Sequence, residues 1–419
     1  MDPPALTSRL RELVGAGAQH AGRERDVSTV EHSLSRVTGI LGGQLCELDG
    51  GFCVVVDRWY TPDTTHGGRT IGFCADAIRR YVKHLAVLGP SRGVEQPSNE
   101  PTLQFFDLET TGLAGGAGTY AFLVGCGTFV DGAFHTRQFF LTSYGAERPL
   151  LGAVAQWMAN ADMLVSFNGR AFDAPVLETR YLFHRLAVPF SKMAHLDMLH
   201  VSRRLWGSDA GCSLRVLEEA LAGVARTGDI PGAEIPARYV HYVRTGDARL
   251  LCPVFDHNCL DLLSLAVLAS VALRLVEEGA MSTRDARECL GLGQLFERVG
   301  LSDRATACYA HAASNRTKSS PEVHIEALRR LARGMRREGR HRDAADAWQQ
   351  ILAFGDGQHP ALREAVHGLA VHHEHRSKNL QAARSFAMRA VVTAASETHR
   401  VQAHHRLARL DRKLGLFRS

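Results

Sequence analysis

Four carboxylates and one imidazole stand in three short strings whose spacing can bring them together. Asp107 and Glu109 close the apolar run TLQFFDLE. Side chains alternate across a strand, so both would point to one face. Two carboxylates converging at a strand end are costly unless a cation lies between them. A DxE pair is common by chance, and Thr110-Thr111-Gly112 behind it sharpens the signal. In the second string, FNGRAFD, a strand ends at Asn168 and Asp173 opens a helix. An aspartate there would cap any helix, yet a strand end feeding a helix N-terminus is also where ligands bind in α/β sheets. The third string, HNCLD, places His257 and Asp261 one turn apart on a helix face. Asp261 adjoins the apolar run LLSLAVLASVAL and needs a partner, whereas His257 alone reads as a surface or hydrogen-bonded core histidine.

The elements that position these residues follow from the pattern. FCVVVDRWY alternates as a strand, GGRTIGF reads as its partner, and LTSRLRELV as a short amphipathic helix. Residues 90–102 are a Pro/Ser linker. TLQFFDLE, TYAFLVGCGTF and AFHTRQFFL read as strands, the last two joined by the hairpin signal VDG. A helix near 147–160, the strand DMLVSFN, a helix at 173–187, a short strand into DMLHVSRRLW and a last helix near 253–275 follow. A strand meander followed by alternation with helices predicts a mixed sheet flanked by helices. The reading divides the chain into residues 1–100, 101–280 and 281–419. Within the first segment His66 has no assigned role.

Residues 281–419 repeat. Leu292-Gly293, Leu331-Ala332, Leu369-Ala370 and Leu407-Ala408 recur at 38–39-residue spacing, in step with Tyr309, Trp348 and Phe386 and with Ala305, Ala344 and Ala382. Small residues let helices approach, and the aromatic fills the gap to the next pair. That is an all-α helical-repeat domain resembling tetratricopeptide repeats, preferred over ordinary bundle packing because three features recur in register. It is also basic: residues 301–419 carry a net charge of +10 against −5 for residues 1–300, and 11 of the 21 histidines. A basic module beside an acidic one suggests contact with a polyanion.

Nine scattered cysteines without a CxxC pair read as reduced, buried thiols of a cytoplasmic protein. The N-terminus lacks a basic start and apolar stretch, and no uninterrupted apolar run spans a bilayer, so neither a secretory signal nor a membrane partner is expected. The GGAG stretch, Gly115–Gly118, lacks the Lys-Ser/Thr of a phosphate-binding loop and reads as a tight turn or a close approach to substrate backbone. Asp197 in HLDML reads mainly as a cap and scaffold residue, and His195 and His200 find no third zinc ligand.

In this order and spacing, DLETTG, FNxxxFD with Tyr181, and HNxxD resemble the three motifs of the DEDD exonuclease superfamily. The longer strings DLETTGLAGGAGTYAFLVG, HLDMLHVSRRLWG, CSLRVLE, RTGDARLL and HNCLDLLSL resemble bacterial YprB-type ribonuclease-H-like proteins, over residues 45–280 and, by architecture, the tail. The resemblance implies an α/β ribonuclease-H-like fold followed by helical repeats. It implies a 3′–5′ exonuclease on single-stranded DNA or RNA with two divalent cations, Mg²⁺ or Mn²⁺. In the superfamily's scheme Asp107 bridges both ions, Glu109 and Asp261 complete the water-activating site, and Asp173 holds the second ion. His257 orients or deprotonates the water; Thr110, Thr111, Leu113 and Asn168 contact substrate.

One departure stands out. The histidine subgroup places its base five residues before the last aspartate and the tyrosine subgroup four; here His257 occupies the tyrosine spacing and Asp256 the histidine spacing. If His257 serves, activity depends on an imidazole, the side chain that titrates nearest neutral pH. Two other readings stand beside the exonuclease: a structure-specific endonuclease, which shares the metal chemistry, and a non-catalytic scaffold whose repeat tail meets a protein partner. Four costly acids argue against a dead site. Phe106, Tyr120, Phe167 and Phe172 serve base stacking or, better, the sheet core.

Overall fold

A computed structural model describes residues 27–89, 101–112, 118–207, 211–314, 320–355 and 359–416. The LTSRLRELV helix, the linker up to residue 100, Leu113 and residues 115–117 of the glycine stretch lie outside the described residues.

The chain begins with α1 (Val27–Leu41), β1 (Gln44–Leu48), β2 (Gly51–Tyr60), β3 (Thr65–His66), β4 (Arg69–Thr70), α2 (Ile71–Tyr81) and α3 (Leu85–Leu88). Then follow β5 (Leu103–Thr110), β6 (Ala121–Val130), β7 (Ala133–Phe140), α4 (Glu147–Met158), β8 (Met163–Ser166), α5 (Asp173–Phe183) and β9 (Ala194–Asp197). Next come α6 (Met198–Leu205), α7 (Leu214–Ala222), α8 (Ile235–Thr245) and α9 (Cys252–Glu278). The remaining helices are α10 (Ala286–Arg298), α11 (Ser302–Ser314), α12 (Pro321–Arg337), α13 (His341–Leu352), α14 (Pro360–His375), α15 (Leu380–Val392) and α16 (Glu397–Lys413).

Seven strands form one mixed sheet in the order β1-β2-β7-β6-β5-β8-β9. β5 to β7 form the expected meander, antiparallel throughout. The VDG turn is a tight hairpin in which Asp131 (φ +49°) and Gly132 (φ +82°) are both left-handed and Val130 pairs Ala133, the geometry that matches strand twist. β8 lies parallel to both β5 and β9, which requires crossovers, supplied by α4 and α5. The expected boundary near residue 100 falls between β2 and β5, two strands of this one sheet.

GGRTIGF is not the partner of β2, which pairs with β1 and β7 instead. Only Arg69 and Thr70 are extended, against Thr65 and His66. The Thr70 hydroxyl accepts the Phe73 N–H at 3.1 Å and starts α2, so a helix cap overrides the strand pattern.

Alternation along β5 divides the core. Phe105 faces the cluster built on Leu262, Leu265 and Leu268 of α9; Phe106 faces the cluster with Leu177, Tyr181, Tyr239 and Phe255. Asp107 and Glu109 share the Phe105 face, toward α9. By length and composition α9 is apolar enough to cross a bilayer, yet most of it is buried inside the protein. All nine cysteines are free thiols.

Beyond α9 the chain is helical, and successive helices pack on one another. The repeating Leu-Gly and Leu-Ala pairs fall on α10, α12, α14 and α16, and the repeating aromatics on α11, α13 and α15. A Cβ on Gly293 would lie 2.6 Å from the Tyr309 ring, and one on Gly368 2.7 Å from Trp348, so glycine seats each ring. Several of the tail's basic side chains are held in ion pairs that share a carboxylate. Arg330 and Arg337 pair with Glu297, Arg329 and Arg333 with Glu364, and Arg406, Arg409 and Lys413 with Glu374. α10 docks on the sheet domain. The Trp206 indole donates to Glu288 at 2.5 Å, and a Cβ on Gly291 would lie 2.1 Å from the Arg204 carbonyl.

Candidate active site

Asp107 is set by a buried amide strut. The Asn258 side-chain NH₂ donates to Asp107 Oδ2 at 2.8 Å, and Gln138 Nε2 donates to Asn258 Oδ1 at 2.8 Å. Asn258 can lie across β6 only because residue 125 is glycine. A Cβ there would stand 2.1 Å from Asn258 Oδ1. Asn258, read in sequence merely as part of HNxxD, therefore locks α9 to the strand that carries Asp107.

Asp173 begins α5 at the end of the loop from β8. Asp197 shapes that loop, accepting the backbone N–H of Asn168 at 2.8 Å and of Arg170 at 3.2 Å. It also caps α6 through the Leu199 N–H at 3.0 Å, which is the cap and scaffold role read from its position. Asn168 adopts φ +65°, and Gly169 packs on Ser166, where a Cβ would meet Oγ at 2.5 Å. His195 serves as the partner of Ser166 Oγ at 2.7 Å, and burial pushes its pKa down to about 4. Tyr181 is core, its hydroxyl donating to the Leu151 carbonyl at 2.7 Å.

Asp261 and His257 meet residues that the three motifs do not contain. Arg226 Nη2 donates to Asp261 Oδ1 at 2.6 Å. His257 Nδ1 lies 2.7 Å from Asp229 Oδ1, while Nε2 lies 3.5 Å from Asp261 Oδ2. Burial raises the Asp229 carboxyl, but the His257 hydrogen bond and the Arg226 charge outweigh it and hold the pKa below the usual range. Asp256, at the histidine spacing, is turned away and paired with Arg58 at 2.6 Å. Of the two candidates, His257 is the one that faces Asp261.

Burial raises all four acids of β5, α5 and α9, and nearby carboxylates add to it. Burial, then Asp261, Glu109 and Asp173, push Asp107 well above the carboxylate range. Burial, Asp261, Asp173 and Asp229 do so for Glu109. Burial, Asp197 and Asp261 lift Asp173 to about 7. Burial also lifts Asp261, against the opposing charges of Arg226 and His257. Hard oxygen donors in such mutual repulsion suit a divalent cation. As they lie, no three His, Cys, Asp or Glu side chains among the described residues are grouped closely enough to hold one.

Of the expected substrate contacts, Thr110 donates to the Gly112 carbonyl at 2.9 Å, and Thr111 Oγ1 accepts the Tyr120 N–H at 3.0 Å. Both hold the bend out of β5, and Asn168 is exposed. Phe106 is buried, and Tyr120 lies under the Arg180 guanidinium. Arg226 and Asp229 escaped the sequence reading because the segment joining α7 to α8 has no periodicity to assign its side chains a direction, and Glu218, on α7, was not read as a partner of the site.

A raised carboxyl pKa has a defined consequence for stability. The folded protein binds the Asp173 proton more tightly than the unfolded chain, so this contribution is lost as pH rises from ~4 through about 7. Buried neutral histidines such as His195 act in the opposite sense. The clean signal is therefore a difference. Without metal, Asp173→Asn is expected to melt above wild type by a margin that widens between pH 5 and 7 and is flat above. Parallel melting curves across that range would refute it.

Residues 104–273 match the model of the ribonuclease H superfamily. The chain is 29% identical over 322 residues to the uncharacterized protein YprB of Bacillus subtilis (strain 168), covering 75% of this chain and 76% of that protein. Among solved structures it is similar to the family B DNA polymerase of the archaeon Pyrobaculum calidifontis, with a TM-score of 0.35 and 15% identity. That match covers 52% of this chain and less than a third, 30%, of the polymerase.

Proposed function

We infer that the region matching the ribonuclease H superfamily, residues 104–273, is a divalent-metal-dependent phosphodiesterase, a 3′–5′ exonuclease acting on single-stranded DNA or RNA. One observation carries this reading. Asp107, Glu109, Asp173 and Asp261, carried by three separate elements, are each raised by burial and by nearby carboxylates. Such an arrangement costs stability and gains its reason from a cation.

Asp107, Glu109 and Asp173 have no ion-pair partner among the described residues and would hold the cation, with Asp261 beside them. Bound Mg²⁺ or Mn²⁺ would neutralise phosphate charge and lower the barrier to attack by water. The protein's own contribution is positional. Asn258 fixes Asp107, Asp197 fixes the loop before Asp173, and the Asp229–His257 pair presents Nε2. An ionised Asp229 keeps the imidazole proton on Nδ1, which leaves the Nε2 lone pair as the acceptor. In the proposed reaction the water oxygen bonds to phosphorus and its proton passes to Nε2. The P–O3′ bond breaks, the leaving oxygen takes a proton from solvent, and a nucleoside 5′-monophosphate departs.

The test is degradation of 5′-end-labelled single-stranded DNA and RNA with Mn²⁺ or Mg²⁺. A ladder shortening from the 3′ end is expected; discrete internal cuts would favour the endonuclease reading. No cleavage and no metal-dependent rise in melting temperature would leave a scaffold. His257→Ala is expected to lower kcat by ~10²–10⁴-fold while leaving the metal-dependent melting shift in place. An unchanged rate and pH profile would remove His257 from the mechanism.

A further inference from the structure

Asp261 differs from the other three acids in what already faces it. Its Oδ1 accepts from Arg226 Nη2 at 2.6 Å, and its Oδ2 lies 3.5 Å from His257 Nε2. We propose that Arg226 is a built-in cation of the site: its guanidinium takes the place of a second divalent ion beside Asp261. The resting protein then binds one ion, through Asp107, Glu109 and Asp173, where the family resemblance implies two. The proposal rests on the metal-site reading above and deepens it.

Every nitrogen of the Arg226 guanidinium is engaged. Nε donates to Glu218 Oε1 at 2.6 Å, Nη2 to Glu218 Oε2 at 2.8 Å as well as to Asp261, and Nη1 to Asp229 Oδ2 at 3.2 Å. The side chains of Arg226, Glu218 and Asp229 are only 3%, 1% and 5% exposed. This is the bidentate fork by which arginine, unlike lysine, fixes carboxylates. A Mg²⁺ ion binds oxygen at about 2.0–2.1 Å. An ion on Asp261 Oδ1 would therefore sit hard against a positive charge that is itself held in place.

The hold continues behind Arg226. Glu218 also accepts a short hydrogen bond from Ser264 Oγ, and Ser264 Oγ lies 2.7 Å from His66 Nε2 on β3. The segment is pinned where the Gly68 N–H donates to the Ala222 carbonyl at 2.6 Å, an approach so close that a Cβ on Gly67 would meet that oxygen at 2.2 Å. Displacing Arg226 would strand three carboxylates and disturb a buried chain of polar groups running back to His66. A surface arginine yields to an incoming ion; this one is part of the interior. His66, for which the sequence suggested no role, is the far end of that chain.

Mn²⁺ binding to the full-length protein tests this without reference to activity. Calorimetry should give one ion per chain, and electron paramagnetic resonance the hyperfine pattern of an isolated Mn²⁺. Arg226→Met should admit a second ion and produce the spectrum of an exchange-coupled pair about 4 Å apart. Two ions in the wild type would overturn the role of Arg226 and leave the phosphodiesterase reading standing, as would a single ion in Arg226→Met. No ion in the wild type would remove both. If Arg226→Met does not fold, the wild-type count decides alone.

Discussion

Asp107→Asn is expected to abolish measurable phosphodiester cleavage, by at least ~10³-fold, while making the metal-free protein more stable. Charge stabilisation by a bound divalent ion is worth several kcal/mol, and each ~1.4 kcal/mol is a factor of ten in rate. Asparagine keeps the shape and can still accept the Asn258 hydrogen bond. What disappears is the charge that Asp261, Glu109 and Asp173 all oppose. The two effects have opposite signs, which separates the prediction from simple misfolding: a misfolded variant loses activity and melting temperature together. The metal-dependent rise in melting temperature should shrink in the same variant. Cleavage within a few-fold of wild type by Asp107→Asn would place the chemistry elsewhere.

What could be read from the chain follows from which elements have a period. Asp107 and Glu109 lie on a strand, where alternation assigns both to one face, and His257 and Asp261 on a helix, where one turn does the same. The hairpin at Asp131-Gly132 was legible because only left-handed residues close it. GGRTIGF misled because strand propensity and a helix cap are written in the same residues, and contact with Ala222, about 150 residues away in sequence, decides between them. Arg226 and Asp229 sit in irregular chain, where no period predicts direction. Asn258 looked like one letter of a motif, and its part as a strut appears only once Gly125 is seen to make room for it. In the folded chain Glu297, Glu364 and Glu374 gather seven of the tail's basic groups in clusters of two or three, an arrangement that composition alone does not show.

Glu147→Ala is expected to cost about 3–5 kcal/mol of stability, the range for removing one partner of a buried ion pair. Glu147 and Arg180 are 2% and 1% exposed, on the face of the sheet away from α9. Arg180 donates to both Glu147 oxygens, at 2.6 and 2.5 Å, and His184 Nε2 adds a contact at 2.7 Å. The guanidinium also lies between the rings of Tyr120 and Phe183, at 4.3 and 4.6 Å. Alanine at 147 would leave that charge buried without its counter-ion, and desolvation, which the pair now offsets, would stand alone. The consequence reaches the site through α5: Arg180 lies two turns along the helix that Asp173 opens, so the pair ties the carrier of Asp173 to α4. Urea unfolding of Glu147→Ala, Arg180→Met and the double variant Glu147→Leu/Arg180→Met separates the two components. Each single change should be costly and the double change much less so, because it buries no unpaired charge. A loss below ~1 kcal/mol in Glu147→Ala would mean that water reaches Arg180, and the pair would then have no part in holding Asp173.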